Sequence, residues 1–229
     1  MSLSLLSLAA MGCAKKPRTT KVTVAGEATT RVEPDTALLT IAVVTQSSQA
    51  VTAQQENARK SDAVANAIRS KAGSAVEIKT SDYTLQPQYD YRDNRLPKII
   101  GYNARNSVIV TMTDLKNVGA VIDAASNSGA NSIDGISFIL KQTSPARGQA
   151  LADATQQAMN KANSIAQALG GRVLRVVEEN EASTVIGEPV YAYDSTVMNG
   201  ELRKTAPTPI ASGQLNIKSN VQMIVEIES

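Results

Sequence analysis

Two groups of carboxylates are spaced closely enough for acid–base work. Glu33 and Asp35 flank Pro34, and Glu178, Glu179 and Glu181 crowd the end of a β-branched run. Either group would have to act without the usual helpers. The chain holds no histidine, and its single cysteine is Cys13. Histidine-based triads, His/Cys zinc sites and internal disulfides are thereby excluded, and a thiol nucleophile is set aside. G-x-S-x-G, P-loop and G-x-G-x-x-G patterns are absent, and "GISFI" at 135–139 lacks its second glycine. Acids beside a turn proline, or at the end of a strand, are solvated far more often than catalytic. The expectation is no enzyme, no catalytic residue, no cofactor and no metal site.

Tyrosine is the other residue type with something to offer. Four of the six, Tyr83, Tyr89, Tyr91 and Tyr102, lie in or beside "TLQPQYDYRDNRLPKIIGYNARNSVIVTM" at 84–112. Their rings can stack on a glycan or peptide, or pack on one another. By two-residue alternation, Tyr83, Leu85, Pro87, Tyr89 and Tyr91 share one face of an extended strand. Ile100, Tyr102, Ala104, Val108, Val110 and Met112 share one face of the next. A turn at "RDNRLP" gives an antiparallel register with Tyr89 opposite Tyr102, Tyr91 opposite Ile100 and Tyr83 opposite Val108. Each such pair contributes roughly 0.2–1 kcal/mol. Pro87 cannot donate to a ladder, which points to an edge strand. A two-stranded arm is marginal in water, so its tip needs cover. Tyr83, Tyr89, Tyr91, Leu96, Ile99, Ile100 and Tyr102 are therefore the candidate surface, for self-association first and for a glycan or peptide ligand as the alternative.

These residues need a scaffold, and the periodicity supplies one. Residues 22–45 read as a hairpin turning at Glu33-Pro34-Asp35, with Val22, Val24, Ala28 and Val32 answered by Leu39, Ile41 and Val43. A helix follows over 49–72, with Val51, Ala58, Ala65, Ile68 and Ala72 as its stripe and Gly73 as its stop. A second starts at Asp114 with Leu115, Val118, Ile122 and Ala125, and Gly129 lies beyond its end. A third is capped by Ser144, opens on Pro145, and carries Leu151, Ala154, Ala158, Ile165 and Leu169 up to Gly170-Gly171. Its alanines fit close packing on a sheet, not a cofactor box. Strands are expected at 132–142, at 172–180, and from Leu215 to Ile227 with one polar gap at Ser219. Residues 183–212, with Pro189, Pro207 and Pro209, have no period and read as a mobile insertion.

With 42% apolar residues but one Phe and no Trp, the core must be aliphatic. Net charge is +2, yet Lys15, Lys16, Arg18 and Lys21 account for more than that, leaving 19 basic and 21 acidic groups after residue 21. A near-neutral body carries no footprint for nucleic acid. The first 12 residues fit a signal peptide too short to span a bilayer. "AAMGC" resembles a lipoprotein box with Ala10 in place of leucine, so Cys13 is the candidate lipidation site and 13–21 the polar tether. The alternative is a plain cleaved signal. No Lys or Arg precedes the apolar run, which suggests a misplaced start or a trimmed sequence. Ala14 after the cysteine resembles lipoproteins sorted to the outer membrane. Lipid anchoring there, facing the periplasm, is the expected location.

"VEPDTALLTIAV", "IKTSDYTLQPQYDY" and "IIGYNARNSVIVTMTDLKNVGAVIDAASNSGANSIDGISF" together resemble the SIMPL-domain family of bacterial envelope proteins. The matches include Pro34-Asp35, Thr80, Tyr83, Pro87, Tyr89, Gly101-Tyr102, Ala104, Asp114-Leu115, Gly129 and Phe138. The resemblance implies an α+β fold, export, a tendency to homo-oligomerise, and links to stress protection and immunogenicity. It supplies no catalytic site. The reading is an α+β domain over 22–229, in which long antiparallel hairpins form a sheet packed by three helices.

Overall fold

The computed structural model describes residues 18–73, 76–91, 96–186 and 207–228, with the backbone alone for 182–186. In chain order the elements are β1 (Thr19–Val32), β2 (Thr36–Ser47), α1 (Ala50–Ala72), β3 (Val76–Asp90) and β4 (Lys98–Met112). A 3-10 turn (Leu115–Asn117) leads into α2 (Val118–Asn127), followed by β5 (Ser132–Ile139), α3 (Pro145–Ala168), β6 (Arg172–Ile186) and β7 (Leu215–Glu228). The fold is α+β, with two antiparallel sheets in the orders β1-β7-β6 and β3-β4-β2-β5.

The expected hairpin of residues 22–45 does not form. β2 is flanked by β4 on one side and β5 on the other, which leaves no edge for β1. β1 pairs instead with β7. The described residues group into two compact units. One holds the chain up to Thr29 with Gln149–Val185 and 218–228, and the other holds Thr30–Gly148 with 207–217 and Ile186.

In the larger unit, Leu39, Ile41 and Val43 of β2 and Val110 and Met112 of β4 face Val64 and Ile68 of α1 and Val118, Val121 and Ile122 of α2. Full burial of such side chains contributes about 1.5–3 kcal/mol each. The expected stripe on α1 holds at Ile68, which is buried, and at Ala72, which packs on the core, but not in the first half of the helix. Ala53, Asn57, Val64 and Ile68 are buried, whereas Ala58 is exposed and Val51 is 62% exposed. Asn57 is the cause. Its amide donates to the Val43 and Ala104 carbonyls at 2.8 and 3.0 Å, and its oxygen accepts from Ser61 at 3.3 Å. A fully bonded amide takes a core position that an apolar count misses. At α2, Asp114 does not cap the helix backbone; its carboxylate accepts from the Asn117 side chain at 2.6 Å.

The aperiodic stretch is shorter than expected. β6 runs on to Ile186, and Thr208 is docked on α2, its N–H and hydroxyl donating to the Asp123 carboxylate at 3.1 and 2.6 Å. A Cβ at Gly119 would lie 2.0 Å from the Thr208 carbonyl oxygen, and Ile210 packs on the core. The rest of the proposed insertion lies outside the described residues.

In the smaller unit, α3 buries alanine at every fourth position: Ala150, Ala154, Ala158, Ala162 and Ala166. Ala154, Ala158, Ala162 and Ala166 meet Val24, Val221, Met223, Val225 and Ile227. The seam is tight because β1 crosses α3 at Gly26, where a Cβ would lie 2.0 Å from the Ala154 carbonyl oxygen. Ile165 and Leu169, expected in the stripe, are exposed. So close an approach leaves room only for alanine, and the larger side chains sit beside the seam. At the far end, Gly171 N–H closes the helix on the Ala166 carbonyl at 2.9 Å.

Candidate functional site

β3 is the outermost strand of its sheet among the described residues, as Pro87 requires. Its partner β4 pairs with β2 only as far as Ser47, opposite Tyr102. The β3–β4 arm continues through Gln88↔Gly101, Tyr89↔Ile99 and Asp90↔Lys98 with no third strand among the described residues. The register differs from the expected one: Tyr83 pairs with Asn106, Pro87 with Tyr102 and Tyr89 with Ile99. Two bulges, at Ser81 and at Ile100, shift the ladder, and a count of alternating residues cannot see them.

The register assigns the faces. Val43, Asn106 and Tyr83 share the side that α1 and α2 cover, so Leu85, Pro87, Tyr89 and Ile99 point to that side too. The α1 helix packs chiefly on β2 and β4, and of the outer strand only Val76 and Ile78 pack on the core. Tyr83, Leu85, Tyr89, Ile99 and Ile100 are exposed, Tyr91 is 74% exposed and Leu96 is 94% exposed. Tyr102 is half-buried. The rings of Tyr89 and Tyr91 sit 6.1 Å apart at 50°, a tilted pair. The seven candidate residues therefore gather along one arm, and residues 92–95 lie outside the described residues.

The carboxylate candidates do not converge. Asp35, expected as a solvated turn residue, is half-buried and structural. It accepts from the Lys141 N–H at 3.0 Å and the Thr36 hydroxyl at 2.9 Å, and from the Ser144 hydroxyl. Burial pushes its pKa up, and these hydrogen bonds outweigh that to hold it below the usual carboxylate range. Arg147 closes the same corner by donating to the Lys141 and Leu140 carbonyls at 3.1 and 3.4 Å. Pro34 is buried beside it, while Glu33 is exposed. Glu178 and Glu179 are exposed and accept from Asn180 and Thr155. On the face of the larger sheet away from the helices, Arg105 bonds both Asp134 and Ser107, a link sequence reading missed. The Arg105 hydrogen bond and a second from Ser132 hold Asp134 below its ordinary range. Among the described residues no group of three or more acids is arranged to hold a metal ion. Cys13 lies outside the described residues.

Among the described residues of this α+β chain, apolar and aromatic side chains gather on an exposed edge arm, and no group of acids is arranged to hold a metal ion. Residues 22–225 match SIMPL, described as a protein of unknown function (DUF541), and the chain belongs to that family. It is 28% identical to the 26 kDa periplasmic immunogenic protein of Brucella melitensis biotype 1, over 91% of this chain and 85% of the relative. It is 24% identical to the uncharacterized protein YggE of Edwardsiella ictaluri, over 74% and 75%. With YggE of Escherichia coli K12 the identity is 28%, over 65% and 62%.

Proposed function

We propose that this chain is a non-enzymatic, exported cell-envelope protein that self-associates through its β3–β4 arm and is held at the outer membrane, on the periplasmic side, by lipid on Cys13. The observation that carries the reading is the arm itself. Tyr89, Tyr91, Leu96, Ile99 and Ile100 lie at or beyond the end of a third strand, open to water. Apolar surface so concentrated favours a partner, and another copy of the chain is the simplest one. The periplasmic name of the Brucella relative supports export. The absence of histidine and the dispersed, individually bonded carboxylates support the non-enzymatic part. The resemblance to envelope proteins adds a part in stress protection.

A photo-cross-linking side chain in place of Tyr91 tests the arm. It should capture a second copy of the chain; capture of none counts against self-association. The alternative, a glycan or peptide platform, asks for a flat aromatic face, and the 50° tilt between Tyr89 and Tyr91 makes a corner instead.

A further inference from the structure

β1 is an edge strand of its sheet among the described residues, with β7 on one side only. Its free edge is closed along part of its length by α3. Gln157 Oε1 accepts from the Glu27 N–H at 2.7 Å, and Lys161 Nζ donates to the Ala25 carbonyl at 2.7 Å. These two side chains, one helical turn apart, stand in for the strand that would otherwise pair there. Backbone groups two residues apart on a strand face the same edge, so Thr23 and Lys21 turn theirs to the same side, where no strand pairs with them among the described residues. Next to that open half lies a groove of about 580 Å³ lined by Thr23, Ala25, Asn160, Lys161, Ser164 and the partly exposed Ile165.

We infer that this groove binds an extended peptide through its C-terminal end. The peptide adds as a strand along Lys21 and Thr23, and its alternate side chains enter the groove toward Ile165. The ladder must stop at Ala25, where α3 closes the edge, and the group standing at that stop is the ammonium of Lys161. That cation meets a neutral carbonyl and, among the described residues, no carboxylate. A chain end supplies the missing charge where the ladder runs out. Lys21 and Arg18, exposed at the start of the same edge, extend the positive field, although Glu226 partly offsets Lys21. Charge and register thus select one occupant, a free carboxyl terminus on an extended peptide. This site lies in the smaller unit and does not depend on the β3–β4 arm.

The test uses the full chain and a fluorescein-labelled hexapeptide of alternating valine and threonine, read by fluorescence anisotropy. The form with a free C-terminal carboxylate should bind saturably. Its C-terminal amide, and the Lys161→Met protein with the acid form, should each bind about tenfold more weakly, with no further loss when combined. Methylating alternate peptide nitrogens should abolish binding, a control that leaves the protein untouched. Ile165→Asp, at an exposed position, should do the same with unchanged circular dichroism. No saturable binding of the acid form up to about millimolar would overturn the proposal. Equal affinity for acid and amide, or for wild type and Ile165→Asp, would also overturn it. So would a drop in light-scattering mass on Ile165→Asp, since the occupant would then be a second copy. Tyr91→Ser with Ile100→Ser should leave peptide binding intact, which separates this site from the arm.

Discussion

Tyr89 sits across the β3–β4 ladder from Ile99, past the last residue of β2 that β4 pairs with. The bulge at Ile100 is what brings these two side chains to the same side. Gly101 follows it, buried, and a Cβ there would lie 3.2 Å from the Ser47 carbonyl oxygen. The arm therefore leaves the sheet at a defined point and carries its apolar residues clear of the core.

Asp35 is the clearest structural acid. Asp35→Ala should leave the N–H of Lys141 and two hydroxyls without their acceptor, at a cost of about 1–3 kcal/mol. Urea unfolding should show a lower midpoint with an unchanged slope.

The depressed pKa of Asp35, and that of Asp134 beside Arg105, also set a pH dependence. A carboxyl lowered in the folded state adds stability that is complete above its unfolded value, about 3.9. That stability is lost as pH falls through the lower, folded value. Thermal melts should therefore drop on acidification below about pH 4, and Asp35→Asn should flatten part of that drop.

At the α3 seam, Gly26→Ala places a methyl group on helix backbone that cannot give way. The expected cost is about 1–3 kcal/mol, from overpacking. Ile165→Ala, three residues from the buried Ala162 but on the open flank, should change the urea midpoint little.

Thr208 and Asp123 hold a strap on α2, and Gly119 makes room for it. Gly119→Ala should release the strap. Hydrogen exchange at the Thr208 amide should rise, while amides of β4 keep their protection.

Labelled palmitate should enter the wild-type chain in its native host but not Cys13→Ala. Label in the variant would remove the lipid anchor from the account.

Much of the fold can be read from period alone. The strand from Leu215 to Ile227 buries every second residue, including Ser219 in its polar gap. The three helices fall where their stripes and stops put them, yet two stripes are right only in part. On α1 the core position belongs to Asn57, whose polarity is hidden by its bonds. On α3 the buried face is all alanine, because the seam at Gly26 is too close for anything larger. Pairing partners were harder. That β1 joins β7 depends on which strands have free edges, a property of the whole sheet and not of residues 22–45. The candidate surface was legible as a set of residues, and its register was not, since neither bulge leaves a mark in the alternation.

Self-association through the arm is the central claim, and the mass of the soluble chain tests it most directly. Light scattering should give a multiple of the 24.2 kDa chain, less any residues removed on export, for the wild type. Tyr91→Ser with Ile100→Ser should lower that mass while far-UV circular dichroism stays nearly unchanged. A wild-type mass of one chain, or a multiple that the double variant leaves in place, would contradict it.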